Sequence, residues 1–445
     1  MSLVLCAVLW GCASADDPLK KIPHSVERLE TSTLPVFKKQ DFPQDHLQKL
    51  FGTTAFTWQK ALLRLEQARL LYVQSVATQG ASLNAGITAQ QEEGQHLNPF
   101  AAAPPRLFSG FLQGNYDFDP FGRLSSLKKA QEKNYQAQYY DMRAVALELS
   151  KTYIQNYHQV VYAQNHTKIL QQSLQIAEKN RQLILLKQKS GTAKAQDVIT
   201  ATQNLQALRV QMLQSQQAII KNREIYANLL GMPVHELSQD SFKRFANLPP
   251  ITQKISVPLL FLDKRPDVMA AYYRLKANKA NVKAAIADLF PDLSFNLSVQ
   301  NLGFTFAKML QENNLFGQLS ARLTQTLWDN GTLQSRVDFE KTALKMAQID
   351  YLEKITKALN HIKTHETLYK NAYAVYQSAL ESDRLSKQNL AIVKQAYHYG
   401  KANVIELLRA EQALYESRLN TLNAHKALLD SYAEIITALG QNSLS

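Results

Sequence analysis

The sequence predicts a mostly helical protein with a small β part, built from two similar halves that each contain a long antiparallel helical hairpin. Three glycines recur in pairs that are 209 positions apart, namely Gly122 and Gly331, Gly191 and Gly400, and Gly231 and Gly440. The segments 123–190, 192–230, 332–399 and 401–439 contain neither glycine nor proline. Because these two residues are the strongest helix breakers, each segment is expected to be one uninterrupted helix within an internal duplication.

Composition sets the first limits on this architecture. The mean hydropathy of the 445 residues is −0.28, and no run approaches the roughly 18 apolar residues that a membrane-spanning helix requires. If the chain enters a membrane, strands are therefore expected to do so. The formal net charge of +13 is spread along the chain, which favours a solvated helical surface over a nucleic-acid site.

The first 12 residues are typical of a secretory signal. A short apolar segment runs into Leu9-Trp10-Gly11-Cys12, which resembles the bacterial lipobox, in which the cysteine is acylated and becomes the mature N-terminus. Ala13 follows, and in such lipoproteins this residue indicates outer-membrane sorting. The alternative is a fortuitous match, because Trp10 is unusual there and the segment has no Lys or Arg. Cys12 and Cys6 are the two cysteines of the chain, so no disulfide is expected in the mature fold.

The next segments change from linker to helix to strand. Residues 13–45 contain four prolines without periodicity and predict an extended linker. A helical pattern follows from His46 to about Ala77. Strict alternation of apolar and polar residues then predicts a strand over 82–90, and the same alternation recurs more strongly over 293–300.

Each half is expected to contribute two strands. The second strand of each half lies near 107–118 or 318–324, after a loop that contains Pro99, Pro104 and Pro105 in one half and Asn313-Asn314 in the other. Four strands cannot close a barrel, and open strand edges are not tolerated in hydrocarbon. If these strands span a membrane, three chains would supply a barrel of about 12 strands. The alternative is a soluble sandwich or a sheet that packs on the helices.

The long helices carry coiled-coil spacing. At 1.5 Å per residue, a helix over 123–190 or 332–399 is about 100 Å long. The second-half helix has a stripe of three- and four-residue spacings, at Leu352, Ile355, Leu359, Ile362, Glu366, Tyr369, Tyr373 and Tyr376. In the first half, Leu147, Ile154 and Val161 follow a seven-residue period. Each long helix is expected to turn back at Gly191 or Gly400, and both turns lie at the end that is far from the strands.

Several segments together resemble a known family. They are Tyr116–Arg123, Leu230–Pro233, Lys264-Arg265-Pro266-Asp267-Val268, Arg274-Leu275-x-Ala277-Asn278, Phe290-Pro291-x-Leu293-Ser294 and Leu327–Gly331. In this order they look like the signature of the outer-membrane efflux proteins, the TolC-like family, and specifically its lipid-anchored, drug-efflux branch. The resemblance covers residues 46–440. Three positions depart from the family pattern: Gln79-Gly80 stands where Phe-Pro is usual, and Thr326 stands where proline is common.

The resemblance implies a trimeric channel. Three copies would form a 12-stranded transmembrane β-barrel, with four strands per protomer, and a periplasmic α-barrel of 12 helices. The homotrimer would be a passive exit duct for drugs or other small molecules, without catalysis, metal or cofactor. Its expected partners are a periplasmic adaptor protein, an inner-membrane pump and the lipid of the bacterial outer membrane.

Two other functions stay open. The outer-membrane component of a type I protein secretion system would share this fold. A periplasmic coiled-coil scaffold without a pore would share the helices but would not need the strands. The predicted boundaries are a lipoprotein signal over 1–12, a linker over 13–45, a first repeat over 46–240, an equatorial connector over 241–264, a second repeat over 265–440 and a tail over 441–445.

The hairpin turns are where such a channel would close. Asp197 and Glu406 each stand six residues after a turn glycine, Gly191 or Gly400. In a trimer they would form rings of carboxylates, which attract cations. The alternative is that both are solvated first-turn residues that the helix dipole favours.

The resemblance adds further residues to this gate. Closed tips in relatives are held by carboxylates, a tyrosine and an arginine. Tyr397 matches the tyrosine, whereas Ala402 stands in place of the arginine and Arg409 occupies an acidic position. The predicted gate therefore consists of Asp197, Tyr397, Glu406 and Arg409, with adaptor docking at Gly191 and Gly400.

One pair of histidines has metal-ligand spacing. His361 and His365 are four residues apart on a predicted helix, as two zinc ligands are. The intervening residues contain no glutamate, and no third ligand is evident from the sequence. A solvated helix face is therefore the prediction for this pair, and no metal is expected.

Overall fold

The computed structural model describes residues 41–52, 55–90, 107–238, 241–242, 244–246, 265–311 and 315–441. The chain divides into two compact units. One unit, Met1–Pro35 with Pro249–Gln253, lies outside the described residues, as do Cys12 and the predicted linker up to residue 40. The other unit, Val36–Leu248 with Lys254–Ser445, contains every described residue.

Both halves of this unit have the same series of main elements. The first half contains α1 (Gln44–Leu50), α2 (Phe56–Ala77), β1 (Ser82–Gln90), β2 (Leu107–Phe118), α3 (Arg123–Lys189), α4 (Ala195–Leu230) and a 3-10 turn at Val234–Glu236. The second half contains α5 (Pro266–Ala287), β3 (Asp292–Gly303), α6 (Phe306–Met309), β4 (Leu315–Thr324), α7 (Thr332–His398) and α8 (Val404–Ala438). The predicted fold class and duplication are confirmed. The first helical segment begins at Gln44, two residues before the prediction.

The repeated glycines mark the ends of the long helices because they adopt a left-handed backbone. All six have φ between 66° and 82°, a region that residues with a Cβ rarely adopt. Two aspartates accept backbone N–H groups in the first turns of the 67-residue helices α3 and α7. Asp119 accepts the N–H groups of Leu124 and Ser125, and Asp329 accepts that of Leu333. These bonds satisfy backbone donors that have no partner inside the helix.

The four strands form one antiparallel sheet in the order β1-β2-β3-β4. Its register brings like residues together: Leu297 pairs with Leu319 and Gly114, while Ser298 pairs with Gln318 and Gln113. The alternation predicted from the sequence therefore becomes one apolar face and one mainly polar face. The apolar face consists of Leu83, Ala85, Ile87, Leu112, Leu293, Phe295, Leu297, Val299, Leu319, Ala321 and Leu323.

The short helix α6 between β3 and β4 was not predicted. Met309 of α6 is buried, and its backbone N would clash with a Cβ on Gly303. Gly303 is therefore needed for the close approach of this helix to the end of β3. The helix contains only four residues, which is too short to produce a readable helical period.

The contacts of helix α5 show the structural roles of the Arg-Pro-Asp segment and of the alanines that follow it. Arg265 pairs with Asp267 through two hydrogen bonds of 3.0 and 2.8 Å, and it also donates to the carbonyl of Ala438 at the end of α8. Pro266 occupies the first helical position, where its missing N–H is not needed. Small buried side chains then let α5 lie close to α3 and α7, namely Ala270, Ala271, Ala277, Ala280, Ala284, Ala285 and Ala287.

The stripes with coiled-coil spacing are buried over only part of their length within the single chain. Ile154 and Val161 of α3 are fully buried, and Ile362 and Tyr369 of α7 are buried. Leu352, by contrast, is 62% exposed, although it belongs to the same predicted stripe. The reason is that α7 packs on α5 and α8, so the part of the stripe that faces away from these helices has no cover within the described chain. Among the described helices, none is both long enough and apolar enough to cross a membrane.

Candidate functional site

The two hairpin turns have nearly identical backbone geometry. The N–H of Thr192 bonds to the carbonyl of Lys187 at 2.8 Å, and that of Lys401 bonds to the carbonyl of Ala396 at 2.8 Å. Gly191 and Gly400 donate to carbonyls three residues earlier at 3.0 and 3.1 Å. This pair of bonds is the Schellman motif, which ends a helix at a left-handed glycine. No described heavy atom comes within 4 Å of a Cβ built on either glycine, so both turns stand open.

The two candidate gate carboxylates cap the return helices. The carboxylate of Asp197 accepts the backbone N–H of Lys194 at 3.0 Å. The carboxylate of Glu406 accepts the backbone N–H of Asn403 at 3.3 Å, and the Asn403 side chain accepts the N–H of Glu406 at 2.9 Å. Glu406 therefore completes a capping box, whereas Lys194 offers only its backbone carbonyl to Asp197. These contacts are the ones expected of first-turn residues.

Tyr397 links the two hairpins. Its ring packs against a buried cluster of Leu390, Leu407, Ala410 and Leu414 at the turn of the second hairpin. The Lys187 ammonium, from the first hairpin, lies 4.0 Å from the centre of the ring. A cation at this distance over an aromatic face is attracted by the ring quadrupole. Lys187 was not predicted as a site residue.

Arg409 is exposed on α8. Within the part of the chain that the structure describes, it makes no ion pair with Asp197 or Glu406. The four predicted gate residues thus lie at the same end of the two hairpins but do not form one contiguous cluster within a protomer.

A polar contact between α3 and α8 lies below the turns. The Asn180 side-chain amide donates to the Glu411 carboxylate, and Lys394 of α7 lies 3.9 Å from the same carboxylate. Burial raises the pKa of Glu411, and the Asn180 hydrogen bond and the Lys394 charge counteract only part of this rise. This contact was missed from the sequence, because Asn180 and Glu411 are 231 residues apart and neither belongs to a motif.

The histidine pair is not an isolated one. Glu434 of α8 lies beside His361 and His365 of α7, and the possible ligand atoms of the three side chains all lie within 4.8 Å of one another. All three residues are half-buried. Glu434 could not be identified from the sequence as the third side chain. It belongs to the return helix α8, and its position beside the histidines depends on the packing of α8 against α7.

The apolar face of the sheet is a large exposed feature away from the turns. Leu319 and Leu323 on β4 are 75% and 69% exposed, and Ile87 on β1 is 63% exposed. Exposed contiguous apolar surface of this kind marks a protein or membrane contact. The N–H and C=O groups along the outer edges of β1 and β4 have no strand partner among the described residues.

Residues 257–441 match the model of the family described as outer membrane efflux protein. The chain is 24% identical over 394 residues to the cation efflux system protein CusC of Escherichia coli O6:H1, and the match covers 85% of this chain and 82% of CusC. It is 21% identical over 466 residues to SilC of Salmonella typhimurium, a probable outer membrane lipoprotein, with 99% of this chain and 98% of SilC covered.

Solved structures show the same fold. The crystal structure of the CmeC outer membrane channel of Campylobacter jejuni matches with a TM-score of 0.84 at 17% identity. The match covers 93% of this chain and 90% of CmeC. The match shows that this chain has the fold of that channel protein, and the predicted fold of the single chain is confirmed.

Proposed function

Residues 257–441 of this chain are an outer membrane efflux protein domain, and from this premise we propose that the protein is the outer-membrane exit duct of an efflux system. Three copies form a 12-stranded barrel from their four-stranded sheets and a tube from their long helices. The duct conducts small molecules passively from the periplasm to the exterior and has no catalytic role.

The exposed apolar face of the sheet carries this proposal. Leu83, Ile87, Leu297 and Leu319 share that face and are each more than half exposed. The sheet has two edges without a partner in the described chain, and such edges must be paired if the strands lie in lipid. Lateral closure with two further copies satisfies the edges and turns every apolar face toward the membrane. The polar face then lines the duct.

Further features support the assignment of the two ends. The strands of 9 to 12 residues are long enough to cross a bilayer when tilted. The 67-residue helices then extend the duct by about 100 Å into the periplasm. The open turns at Gly191 and Gly400 are the surface on which a periplasmic adaptor docks, and the adaptor connects the duct to an inner-membrane pump.

Two features of the ends stay proposals. Cys12 carries the lipid anchor, a role for which the naming of SilC as a probable lipoprotein is support by analogy. The gate consists of Asp197, Tyr397, Glu406 and Arg409, and the Lys187 contact with Tyr397 adds a fifth residue to it. The pump, and not the duct, selects the cargo. The second candidate function is the export of proteins in a type I secretion system.

Reconstitution tests this function. Purified untagged protein, verified as a trimer by light scattering, is added to a planar lipid bilayer, where stepwise ionic conductance is the expected result. The Cys12→Ser variant is the matched control: it should still form channels but lose the acyl mass in mass spectrometry. A stable trimer that inserts no channel would instead identify a periplasmic scaffold.

A further inference from the structure

The side chains of His361, His365 and Glu434 form a group of possible metal ligands at the contact between α7 and α8. We propose that this group is a binding site for a divalent transition-metal ion of the zinc type, which fastens the long helix α7 to the return helix α8. The possible ligand atoms all lie within 4.8 Å of one another. The proposal is independent of whether the protein conducts.

The donor set fits this class of ion. Two imidazoles and one carboxylate are a ligand set for Zn²⁺, and imidazole also suits Cu²⁺ and Ni²⁺. The set contains no thiolate or thioether, which soft monovalent ions prefer. The spacing of four residues puts both histidines on one side of α7, where their ring centres are 4.2 Å apart and the planes are inclined by 69°.

The geometry requires only a small adjustment. Ligands at about 2.0–2.1 Å from a tetrahedral ion lie roughly 3.3 Å from one another, so the most distant pair would have to approach by about 1.5 Å or less. We expect side-chain rotations to provide this approach, because all three residues are only half-buried. The helix backbones that carry them are already packed together.

One ring nitrogen lacks a protein partner. His361 Nδ1 is buried and has no hydrogen-bond partner among the described residues. Buried polar atoms without partners are uncommon in folded proteins, and a bound water or ion often satisfies such an atom. His361 also lines a cavity of about 420 Å³ that is bordered by Lys151, Arg265 and Thr437. The cavity would leave room beside His361 for water in a fourth coordination position.

Two residues of α3 contact the Glu434 carboxylate. One orients it, and the other would compete with a metal ion for it. Gln155 of α3 donates to Glu434 Oε1 at 3.0 Å, which holds the carboxylate as second-sphere partners do. Lys151 lies 3.3 Å from Glu434 Oε2 and would be displaced from that oxygen by a metal ion. Lys151 keeps a partner after displacement, because the Glu148 carboxylate lies 2.9 Å from its ammonium group. The site therefore exchanges one cation for another at the same carboxylate.

Metal titration of the whole protein tests the site. Untagged trimer in detergent is stripped with a chelator, and Zn²⁺ alone is added during isothermal titration calorimetry; Co²⁺ serves as a spectroscopic probe of the coordination geometry. One ion per protomer and tetrahedral visible bands are expected. His365→Ala and Glu434→Gln should each weaken the affinity at least tenfold, since loss of even a second-sphere partner costs about 10- to 100-fold.

Two further variants distinguish a built site from general histidine binding. His398→Ala removes a histidine from the end of the same helix and should leave the affinity unchanged. Lys151→Gln removes the competing cation and should tighten binding. Circular dichroism and thermal melting of each variant show that it is folded. Absence of a stoichiometric Zn²⁺ site, or an affinity that His361→Ala and His365→Ala leave unchanged, would overturn the proposal.

Discussion

The ammonium group of Lys187 lies 4.0 Å from the centre of the Tyr397 ring, so the last turn of α3 touches the last turn of α7. The backbone carbonyl of Lys187 also accepts the N–H of Thr192 and thereby helps to close the first turn. One residue therefore shapes the first hairpin and binds the second. A movement that separates the hairpins has to break this contact.

We expect this contact to hold the closed form of the tip. A cation over an aromatic ring at an exposed site contributes about 0.5–1 kcal/mol, so Lys187→Gln and Tyr397→Ala should each raise the open-to-closed ratio about 2- to 5-fold. Single-channel recording in planar bilayers measures this ratio. Tyr397→Phe is the control, because it keeps the ring, and it should behave as the wild type. Opening in Tyr397→Phe equal to that in Tyr397→Ala would show that the hydroxyl group, and not the ring, closes the tip.

The carboxylates of Asp197 and Glu406 have two possible roles, and one substitution separates them. Glu406→Gln keeps an acceptor for the Asn403 N–H but removes the charge, whereas Glu406→Ala removes both. If the carboxylates form rings in the duct, Glu406→Gln and Asp197→Asn should lower the preference for cations over anions. Glu406→Ala should in addition raise the conductance.

Reversal potentials in a salt gradient measure this selectivity. Glu416→Gln is the control, because it removes a carboxylate from the same helix but farther from the turn. Wild-type selectivity in both neutral variants would assign Asp197 and Glu406 to helix capping alone. In that case Glu406→Ala would lower the stability by about 0.3–1.5 kcal/mol without changing conduction.

Local signals in the sequence were sufficient for the four strands and for the long helices that end at the repeated glycines, but not for the four-residue α6. Gly191 and Gly400 interrupt long runs without breakers, and the left-handed φ of both residues is the physical cause. Alternation in 293–300 likewise predicted a strand, because side chains on a strand point alternately to two faces. These signals depend only on neighbours along the chain. They can therefore be interpreted without any knowledge of the tertiary structure.

The contacts of the candidate site depend on packing and could not be predicted in the same way. Lys187 meets Tyr397, and Asn180 meets Glu411, only because α3 and the helices of the second hairpin pack in one particular register. The exposure of Leu352 shows the same limit of prediction from sequence. Heptad spacing identified a face of α7, but spacing alone does not say which helix covers that face.

The buried carboxylate of Glu411 should make the stability depend on pH. Burial raises its folded-state pKa above the ordinary value of a glutamate, despite the Asn180 hydrogen bond and the Lys394 charge. Between the unfolded-state and folded-state pKa values the folded state binds more protons than the unfolded state, so the free energy of unfolding falls as the pH rises through this window. Glu411→Gln should remove this fall and raise the melting temperature at neutral pH.

Thermal melts between about pH 4 and pH 8 check this expectation, because that range begins near the ordinary pKa of a glutamate and extends above it. The glutamine keeps an acceptor for Asn180, and the lost attraction to the 53% exposed Lys394 is weak. Glu416→Gln again serves as the control and should keep the wild-type dependence on pH. A lower melting temperature of Glu411→Gln at neutral pH would mean that the ionised carboxylate stabilises the helix contact.

The two faces of β4 should respond in opposite ways to an added charge. Leu319 lies on the apolar face and pairs with Leu297, whereas Ser320 lies on the polar face, which already contains Arg322. If the apolar face contacts lipid, Leu319→Arg would cost about 2–4 kcal/mol near the membrane midplane and should strongly reduce the amount of trimer in the outer membrane. Ser320→Arg adds the same side chain one residue away and should be tolerated. Membrane fractionation and gel analysis of unheated samples measure the inserted trimer, and equal insertion of both variants would contradict a lipid-facing role for the apolar face.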